Sequence, residues 1–416
     1  MSRLRDNQDS RSRADLLVEI GTEELPPQTL IRLGQTFGTA LAAELANQGL
    51  VENPKINWFA TPRRLAARIT GVKRQQPDQI SERRGPALAK AFNDQGEPTS
   101  AASGFARSLG VGVEALERLE TEKGAWLVHR SSQHGQSAKA LVPGCIENAV
   151  NALPVAKRMR WADSDVEFVR PVHWLVVLHG KQTIHCRLLN VSSGNLSAGH
   201  RFMAKQPVKI TCASSYEIDL KSAGQVIADF SVRRRMISRQ IARLANRAGG
   251  VPVVDPGLLD LVTGLVEKPH SLLGSFDVSF VKMPSEVLVS SMRDHQKYFH
   301  LVDEQGTLLP CFIAVSNIRS KQPARVRQGN ERVLKARLSD ARFFWDEDRR
   351  RTLESRVTSL KSVTFHHRLG SLYDKTLRLE ILAGQLARHL GQDPSLSSRA
   401  ARLSKADLVS DMVGEF

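Results

Sequence analysis

Two adjacent carboxylates, Glu23 and Glu24, are the first residues whose type and position suggest chemistry. They follow the apolar run Leu16–Ile20, which is typical of a strand covered on both faces. General acid/base catalysis, metal binding and a charged helix entrance would each use carboxylates here. An acid/base role also needs a substrate pocket that nothing else in the sequence indicates. We therefore predict a structural role at the start of a helix, where carboxylates favour the positive end of the helix dipole.

Histidines at two places suggest metal chemistry. His295 and His300 flank one short segment, and His366 and His367 are adjacent. A metal site also needs a carboxylate or a further histidine at a suitable spacing, and none is evident near either pair. We therefore predict structural histidines, no metal site and no catalytic residue in this chain.

Arginines recur at every fourth position within a predicted helix from Asp229 to Gly249. They are Arg235, Arg239, Arg243 and Arg247. This spacing places a drifting cationic stripe opposite an apolar stripe that includes Ile237, Ile241 and Leu244. Because the sequence has no acidic residue between Asp229 and Asp255, both a phosphate contact and a solvated face fit this pattern.

Composition points to an anionic partner. The 416 residues carry a formal net charge of +16, and the pI is about 10.0. A basic balance of this size favours nucleic acid, although arginines on solvated faces would give the same total. No long apolar run predicts a membrane span, and the polar residues 1–14 predict a disordered basic tail and a cytoplasmic protein.

Familiar nucleotide and hydrolase motifs are missing from the sequence. It has no GxxxxGK[ST] loop, no GxGxxG after a strand, no HExxH and no GxSxG. The four cysteines are far apart, which argues against a disulfide framework and a zinc knuckle. The pattern alone therefore gives no recognisable site for ATP or a dinucleotide.

The pattern of apolar and polar residues changes along the chain and divides it into three regions. Residues 15–220 predict a mixed α/β domain, residues 221–320 a second α+β region with the basic helix, and residues 321–416 a helical domain. In the first domain, Arg63 and Arg64 lie at a turn between two strands, where either can pair with Glu23 or Glu24.

One helix in the last region has a clear start signal. Ser371 is a predicted cap with Asp374 at the third position. Leu379, Leu382 and Leu386 are predicted to form the buried face of this helix.

A series of segments, in order and at fitting intervals, resembles one known family. The segments include LLVEIGTEELPP, TPRRLA, RGPALAKAFNDQGEPTSAASGFAR, MRWADSDVEFVRPVHWLVVL, GHRFM, MRDHQKYFHLVDEQGTLLPCFIAVSNI, GNERVLKARLSDARFFWDEDRR, LGSLYDKTLRLE and LSKADLVSDMVGEF. Together they resemble the β subunits of bacterial heterotetrameric α2β2 glycyl-tRNA synthetases, from about Leu16 to Phe416.

This resemblance implies a function and a fold. It implies a subunit that binds tRNA(Gly) and supports a catalytic α subunit, which uses ATP and Mg2+ to join glycine to tRNA, while no cofactor binds this chain. It also implies a first domain similar to one in the phenylalanyl-tRNA synthetase β subunit, followed by a helical HD-type domain. The candidate tRNA contacts are Arg63, Arg64, Arg160, Arg170, Arg201, Arg235, Arg239, Arg243, Arg247 and Lys297.

Two departures from the family qualify this interpretation. Family members are considerably longer, so we expect a C-terminally truncated chain with an incomplete HD-type domain. Lys405, Ala406 and Asp407 stand where HD phosphohydrolases place a metal-binding His-Asp doublet. The alternatives are a metal-dependent HD-type phosphohydrolase, which Ala406 disfavours, and a tRNA-editing module, for which glycine creates less need because a small pocket excludes larger amino acids.

Overall fold

The computed structural model describes residues 12–93, 96–121 and 124–415. It divides into two compact units. Unit 1 comprises Met1–Arg233 and Thr263–Lys268, and unit 2 comprises Arg234–Val262 and Pro269–Phe416. The predicted mixture of helices and sheets is confirmed. This division is coarser than the predicted domains, whose boundaries stay predictions.

The predicted N-terminal tail overlaps the first strand of unit 1. The strands are β1 (Arg13–Thr22), β2 (Ile56–Thr61), β3 (Arg64–Lys73), β4 (Gln79–Ala87), β5 (Glu117–Thr121), β6 (Gly124–Gln133), β7 (Met159–Arg160), β8 (Glu167–Phe168), β9 (Val172–His179), β10 (Gln182–Thr183), β11 (Arg187–Leu188), β12 (Val191–Gly194), β13 (Leu196–Ser197) and β14 (Val208–Lys209). Arg13 and Ala14, predicted as tail, therefore belong to β1, and residues 1–11 lie outside the described residues.

Helices cover both faces of the main sheet of unit 1. The helices of unit 1 are α1 (Leu30–Asn47), α2 (Leu88–Ala91), α3 (Ser100–Leu109), α4 (Ala138–Asn151) and α5 (Tyr216–Ser222). Of these, α1 and α4 pack on one face of the main sheet and α5 on the other. The main sheet has the order β11-β12-β9-β1-β3-β2, with β10 paired to β9. β1 pairs antiparallel with both β3 and β9, which makes it a central strand.

Strand alternation explains the two-sided burial that the sequence predicts for β1. Leu16, Val18 and Ile20 enter the core that α1 and α4 cover. Leu17 enters a second core, on the opposite face, together with Tyr216. Since side chains alternate along a strand, Glu19 points to the same face as Leu17. A carboxylate therefore lies in the interior of unit 1.

A smaller sheet in unit 1 has the order β4-β6-β5. Its apolar cluster includes Ala91, Ala102 and Leu127, with contributions from α2 and α3. The predicted short helices and loops of residues 82–112 are thus present, except that their first residues continue strand β4.

The remaining elements belong to unit 2, except that helices α6 and α7 each carry residues of both units. These are α6 (Phe230–Arg247), β15 (Val251–Pro252), α7 (Pro256–Leu265), β16 (His270–Ser275), α8 (Ser285–Ser290), β17 (Phe299–Val302), β18 (Leu308–Ser316), α9 (Pro323–Arg349), α10 (Leu353–Arg356), β19 (Thr364–His366), β20 (Gly370–Ser371), α11 (Leu372–His389), α12 (Pro394–Leu403) and α13 (Asp411–Glu415). The sheet order in unit 2 is β15-β17-β18-β16. Leu334 and Leu338 of α9 share a core with Phe312 of β18.

The start of α11 is confirmed, but its predicted buried face is wrong. Ser371 and Asp374 form the predicted capping box. Leu382 and Leu386, however, are 59% and 58% exposed. The buried side instead carries small residues, including Gly384, where an added Cβ would lie 2.5 Å from the Ser398 Oγ of α12. Helix α12 approaches the face where the side chains are smallest.

Across the described ranges, every helix is too short or too polar to cross a membrane.

Candidate functional site

The cationic face of α6 contains four of the predicted contacts. Its four arginines all lie on the surface, namely Arg235, Arg239, Arg243 and Arg247. On the opposite side, Ile237 and Ile241 are fully buried. The predicted amphipathic helix is therefore confirmed, and packing of its apolar side fixes the direction in which the arginines point.

The charge on this face is not neutralised by the part of the chain that the structure describes. The neighbouring Arg234 pairs with Asp260 at 2.5 Å, but no such pair forms for the four arginines of the stripe within the described residues. Arg239 and Arg243 also line an open groove of about 310 Å³ with Met236 and Gln240. Exposed and unpaired guanidinium groups are available for bidentate contacts with phosphate.

Arg63 and Arg64 have a different environment, because both lie in the interior of unit 1. Arg64 is fully buried and Arg63 is 8% exposed. The Glu267 carboxylate accepts from Arg64 Nη1 at 2.8 Å, from Arg63 Nη2 at 3.1 Å and from Thr61 Oγ1 at 3.1 Å. This structure therefore gives Arg64 no surface to offer a phosphate, and the predicted tRNA role of this pair stays a prediction.

Electrostatics keep Glu267 ionised despite its burial. Burial alone would raise the pKa of this carboxyl, but the charges of Arg64 and Arg63 outweigh that effect and lower it. A buried carboxylate with two cationic partners stabilises the fold only while the whole group is intact.

A second buried carboxylate, Glu19, lies beside this group. It accepts hydrogen bonds from Tyr216, Trp174 and Ser197, and its Oε2 lies 3.9 Å from the Nε of Arg64. Burial, together with the nearby Glu19, raises the pKa of Tyr216 well above its ordinary value. Tyr216 therefore remains a hydrogen-bond donor at neutral pH.

A third buried arginine, Arg233, completes the interior group of unit 1. It is fully buried, and its guanidinium donates to the carbonyl oxygens of Ile227, Ala228 and Ala60. Burial lowers its pKa to about 9. We name Glu19, Arg63, Arg64, Arg233 and Glu267 the buried charge network.

The predicted roles of Glu23 and Glu24 at a helix start are wrong. Helix α1 begins at Leu30, and its first turn contains no acidic residue. Glu23 pairs instead with Arg201 Nη2 at 2.7 Å and with His173 Nε2 at 3.0 Å. The hydrogen bond from Arg201 lowers the pKa of Glu23. Glu23 thus pairs with neither arginine of the 63–64 turn, because those arginines face Glu267 in the interior.

The remaining predicted contacts lie partly or fully on the surface. Arg160 is exposed and pairs with Glu167 at 2.9 Å. The half-buried Arg170 donates to the carbonyl oxygens of Glu24 and Val169. Lys297 donates from Nζ to the Asp294 carbonyl oxygen. A role of these residues in tRNA binding stays a prediction.

Both histidine pairs are accounted for by local contacts. His295 lies 2.6 Å from Arg337, and His300 is 9% exposed on strand β17. The rings of His366 and His367 stack at 4.5 Å on an exposed hairpin. No group of three histidine, cysteine or acidic side chains suited to a metal occurs among the described residues.

Most contacts of the buried charge network cannot be predicted from the sequence. One feature of the sequence indicates that Glu19 is unusual, since it is a single charged residue inside an otherwise apolar run. No feature of the sequence indicates the role of Glu267, because its arginine partners lie more than 200 positions away in the chain. Such distant pairing is visible only after the fold is known.

Comparison with known proteins places the geometry in a family context. A family profile described as "Glycyl-tRNA synthetase beta subunit" matches residues 16–416. Proteins called "Glycine--tRNA ligase beta subunit" from Marinobacter nauticus, Hahella chejuensis and Chromohalobacter salexigens are 47%, 45% and 48% identical to this chain. The alignments cover 97%, 97% and 96% of the chain, and 58% of each relative. The chain thus spans less than two thirds of the length of these relatives.

Proposed function

The chain belongs to the family of glycyl-tRNA synthetase beta subunits, and from this membership we propose that it binds tRNA in a glycine–tRNA ligase. The proposed partners are a catalytic α subunit and tRNA(Gly), in an α2β2 complex that acts in the cytoplasm. Support for the family comes from the match over residues 16–416.

The cationic face of α6 is the observation that carries the tRNA-binding proposal. Arg235 and Arg247 are separated by twelve residues, or about 18 Å along a helix. Double-stranded DNA carries one negative charge per about 1.7 Å of axis, counting both strands, so a duplex of that charge density holds about ten phosphates over this length. Four exposed and unpaired guanidinium groups suit such a surface better than an ordinary solvated face, which usually mixes signs.

The division of labour with the α subunit is the second part of the proposal. ATP and Mg2+ would act at the α subunit, because this sequence has no recognisable motif that cradles a nucleotide triphosphate. We assign no catalytic residue to this chain. Its contribution to charging would be to hold tRNA for the α subunit, which raises the effective concentration of the acceptor.

We also propose a fold relationship for each of the two units. Unit 1 contains the region proposed to be similar to a domain of the phenylalanyl-tRNA synthetase β subunit. The helical end of unit 2 would be an HD-type domain without hydrolase chemistry, because Lys405 and Ala406 lack the imidazole of a His-Asp doublet. Ala406 is also buried.

Co-expression with a glycyl-tRNA synthetase α subunit tests the proposal. We expect the two chains to co-purify and tRNA(Gly) to be charged with glycine only when both are present. The chain alone should give only background glycine-dependent ATP–pyrophosphate exchange. Failure of the two chains to associate would contradict the proposal, and so would exchange by this chain alone.

A further inference from the structure

A pocket of about 390 Å³ lies within unit 1 between the start of α1 and the segments 154–157 and 169–170. Its volume is within the range of small-molecule sites, about 300–1,000 Å³. Pro26, Leu33 and Val155 give it an apolar floor. Nothing in the buried charge network or in the cationic face of α6 contributes to its lining.

Three cations surround this pocket, namely Arg32, Lys157 and Arg170. No acidic side chain is among the described residues that line it. Arg32 and Lys157 are exposed, and neither forms an ion pair within the described ranges. Cations that line a concave surface without counter-charges create a positive potential that attracts an anion.

The third cation is held in place by the backbone. Arg170 donates from Nε to the Glu24 carbonyl oxygen at 3.0 Å and from Nη1 to the Val169 carbonyl oxygen at 2.9 Å. These bonds fix the guanidinium plane and leave Nη2 for a ligand. A donor fixed in this way loses little side-chain entropy when an anion binds.

The pocket wall is also anchored before any ligand arrives. The Leu25 amide donates to the Pro62 carbonyl oxygen at 2.6 Å, and the Thr29 amide donates to that of Pro26 at 3.2 Å. An added Cβ at Gly264 would lie only 3.0 Å from Pro27, which indicates close packing behind the Pro26–Pro27 turn. A preformed site of this kind avoids the cost of ordering a loop on binding.

We propose that this pocket binds a nucleoside monophosphate unit, with its phosphate at the three cations and its base against the apolar floor. A phosphomonoester carries between about −1.5 and −2 charges at neutral pH, which suits a pocket lined by three cations. The unit is either a free nucleotide or the phosphorylated end of an RNA strand. The free-nucleotide case is independent of the proposed function, whereas the RNA case rests on it.

Calorimetric titration of the 416-residue chain with AMP, adenosine and inorganic phosphate tests the proposal. AMP should bind more tightly than either fragment, because only AMP engages both the cations and the floor. Arg32→Gln combined with Lys157→Gln should weaken AMP binding about tenfold or more, as expected for the loss of charged hydrogen bonds. The matched control, Arg187→Gln with Lys209→Gln, removes two exposed charges of unit 1 outside the pocket and should change the affinity less than about twofold.

Competition with RNA then distinguishes the two sources of the ligand. Displacement of AMP by an oligonucleotide with a 5′-phosphate, but not by its 5′-hydroxyl form, supports the pocket and identifies a strand end. Absence of displacement by either oligonucleotide supports the pocket and identifies a free nucleotide. Displacement by both forms alike would overturn recognition of a terminal phosphate.

Two results of the titration would overturn the pocket itself. The first is the absence of saturable AMP binding up to about 10 mM, which corresponds to a binding free energy weaker than about 3 kcal/mol. The second is an equal loss of AMP affinity in the pocket variant and in the control variant. Substitution of the α6 arginines should leave AMP binding unchanged. If the unmodified chain binds tRNA but gives no saturable AMP binding, the proposed nucleotide site is refuted while the proposed function stands.

Discussion

Replacement of Glu267 by Gln removes one negative charge from the buried charge network while keeping the shape of the side chain. The carboxylate is 1% exposed and is the acceptor for both Arg63 and Arg64. After the change, Arg64 and Arg233 remain fully buried with only Glu19 as a buried carboxylate. Breaking one side of a buried ion pair costs about 3–5 kcal/mol, so we expect a loss of that size in the free energy of unfolding.

Urea denaturation followed by tryptophan fluorescence measures this loss. Four of the five tryptophans lie in unit 1, which makes the signal report mainly on the unit that contains the network. With a urea slope of about 2.5–3 kcal/mol/M, the midpoint should fall by about 1–2 M. The control is Glu217→Gln, which breaks a half-exposed pair with Arg68 and should cost at most about 1 kcal/mol. Equal losses in the two variants would refute the argument that burial makes Glu267 critical.

Two further predictions concern pH and backbone packing. Since the folded-state pKa of Glu267 is lowered, its carboxylate contributes stability that is present above the unfolded pKa of about 4.5 and is lost as the pH falls through the folded pKa. The stability gap between the wild type and Glu267→Gln should therefore shrink in urea titrations below about pH 4.5, and a gap that widens there would reverse the assigned sign. Gly21→Ala should destabilise unit 1 by about 1–3 kcal/mol, because an added Cβ would lie 1.9 Å from the Trp174 ring. Gly144→Ala in α4, where an added Cβ would meet no atom within 4 Å, should be neutral or stabilising in the same denaturation assay.

Local patterns were sufficient to predict several elements of the fold. The apolar run of β1 predicted a strand covered on both faces, and the arginine and isoleucine spacing predicted the two sides of α6. The capping box at Ser371 was also correct, because such a motif depends only on residues three positions apart.

The errors and omissions have physical causes that are not local. Leu382 and Leu386 have the spacing of a buried face, yet α12 packs on the small residues around Gly384. Glu23 lies seven residues before α1 begins at Leu30, too far for a role in its first turn, and its carboxylate pairs with Arg201 and His173. The Glu267 contacts required the three-dimensional arrangement of distant segments.

The salt dependence of tRNA binding shows whether the arginines of α6 contact phosphate groups. Each phosphate neutralised changes the log–log slope by about 0.9 on a duplex and about 0.7 on a single strand. If two of the three arginines contact tRNA, replacing Arg235, Arg239 and Arg243 with Gln should lower the magnitude of the slope by about 1.4–1.8. The buried side of α6 is untouched, so a thermal melt should be unchanged.

A matched variant makes this measurement decisive. Arg325, Arg332 and Lys335 are exposed on α9, where acidic residues are interspersed, and their replacement with Gln removes the same charge. We expect a reduced slope and weaker tRNA binding for the α6 variant, with little change for the α9 variant. An unchanged slope in the α6 variant, or an equal reduction in both, would contradict the assignment of α6 as the tRNA-binding face.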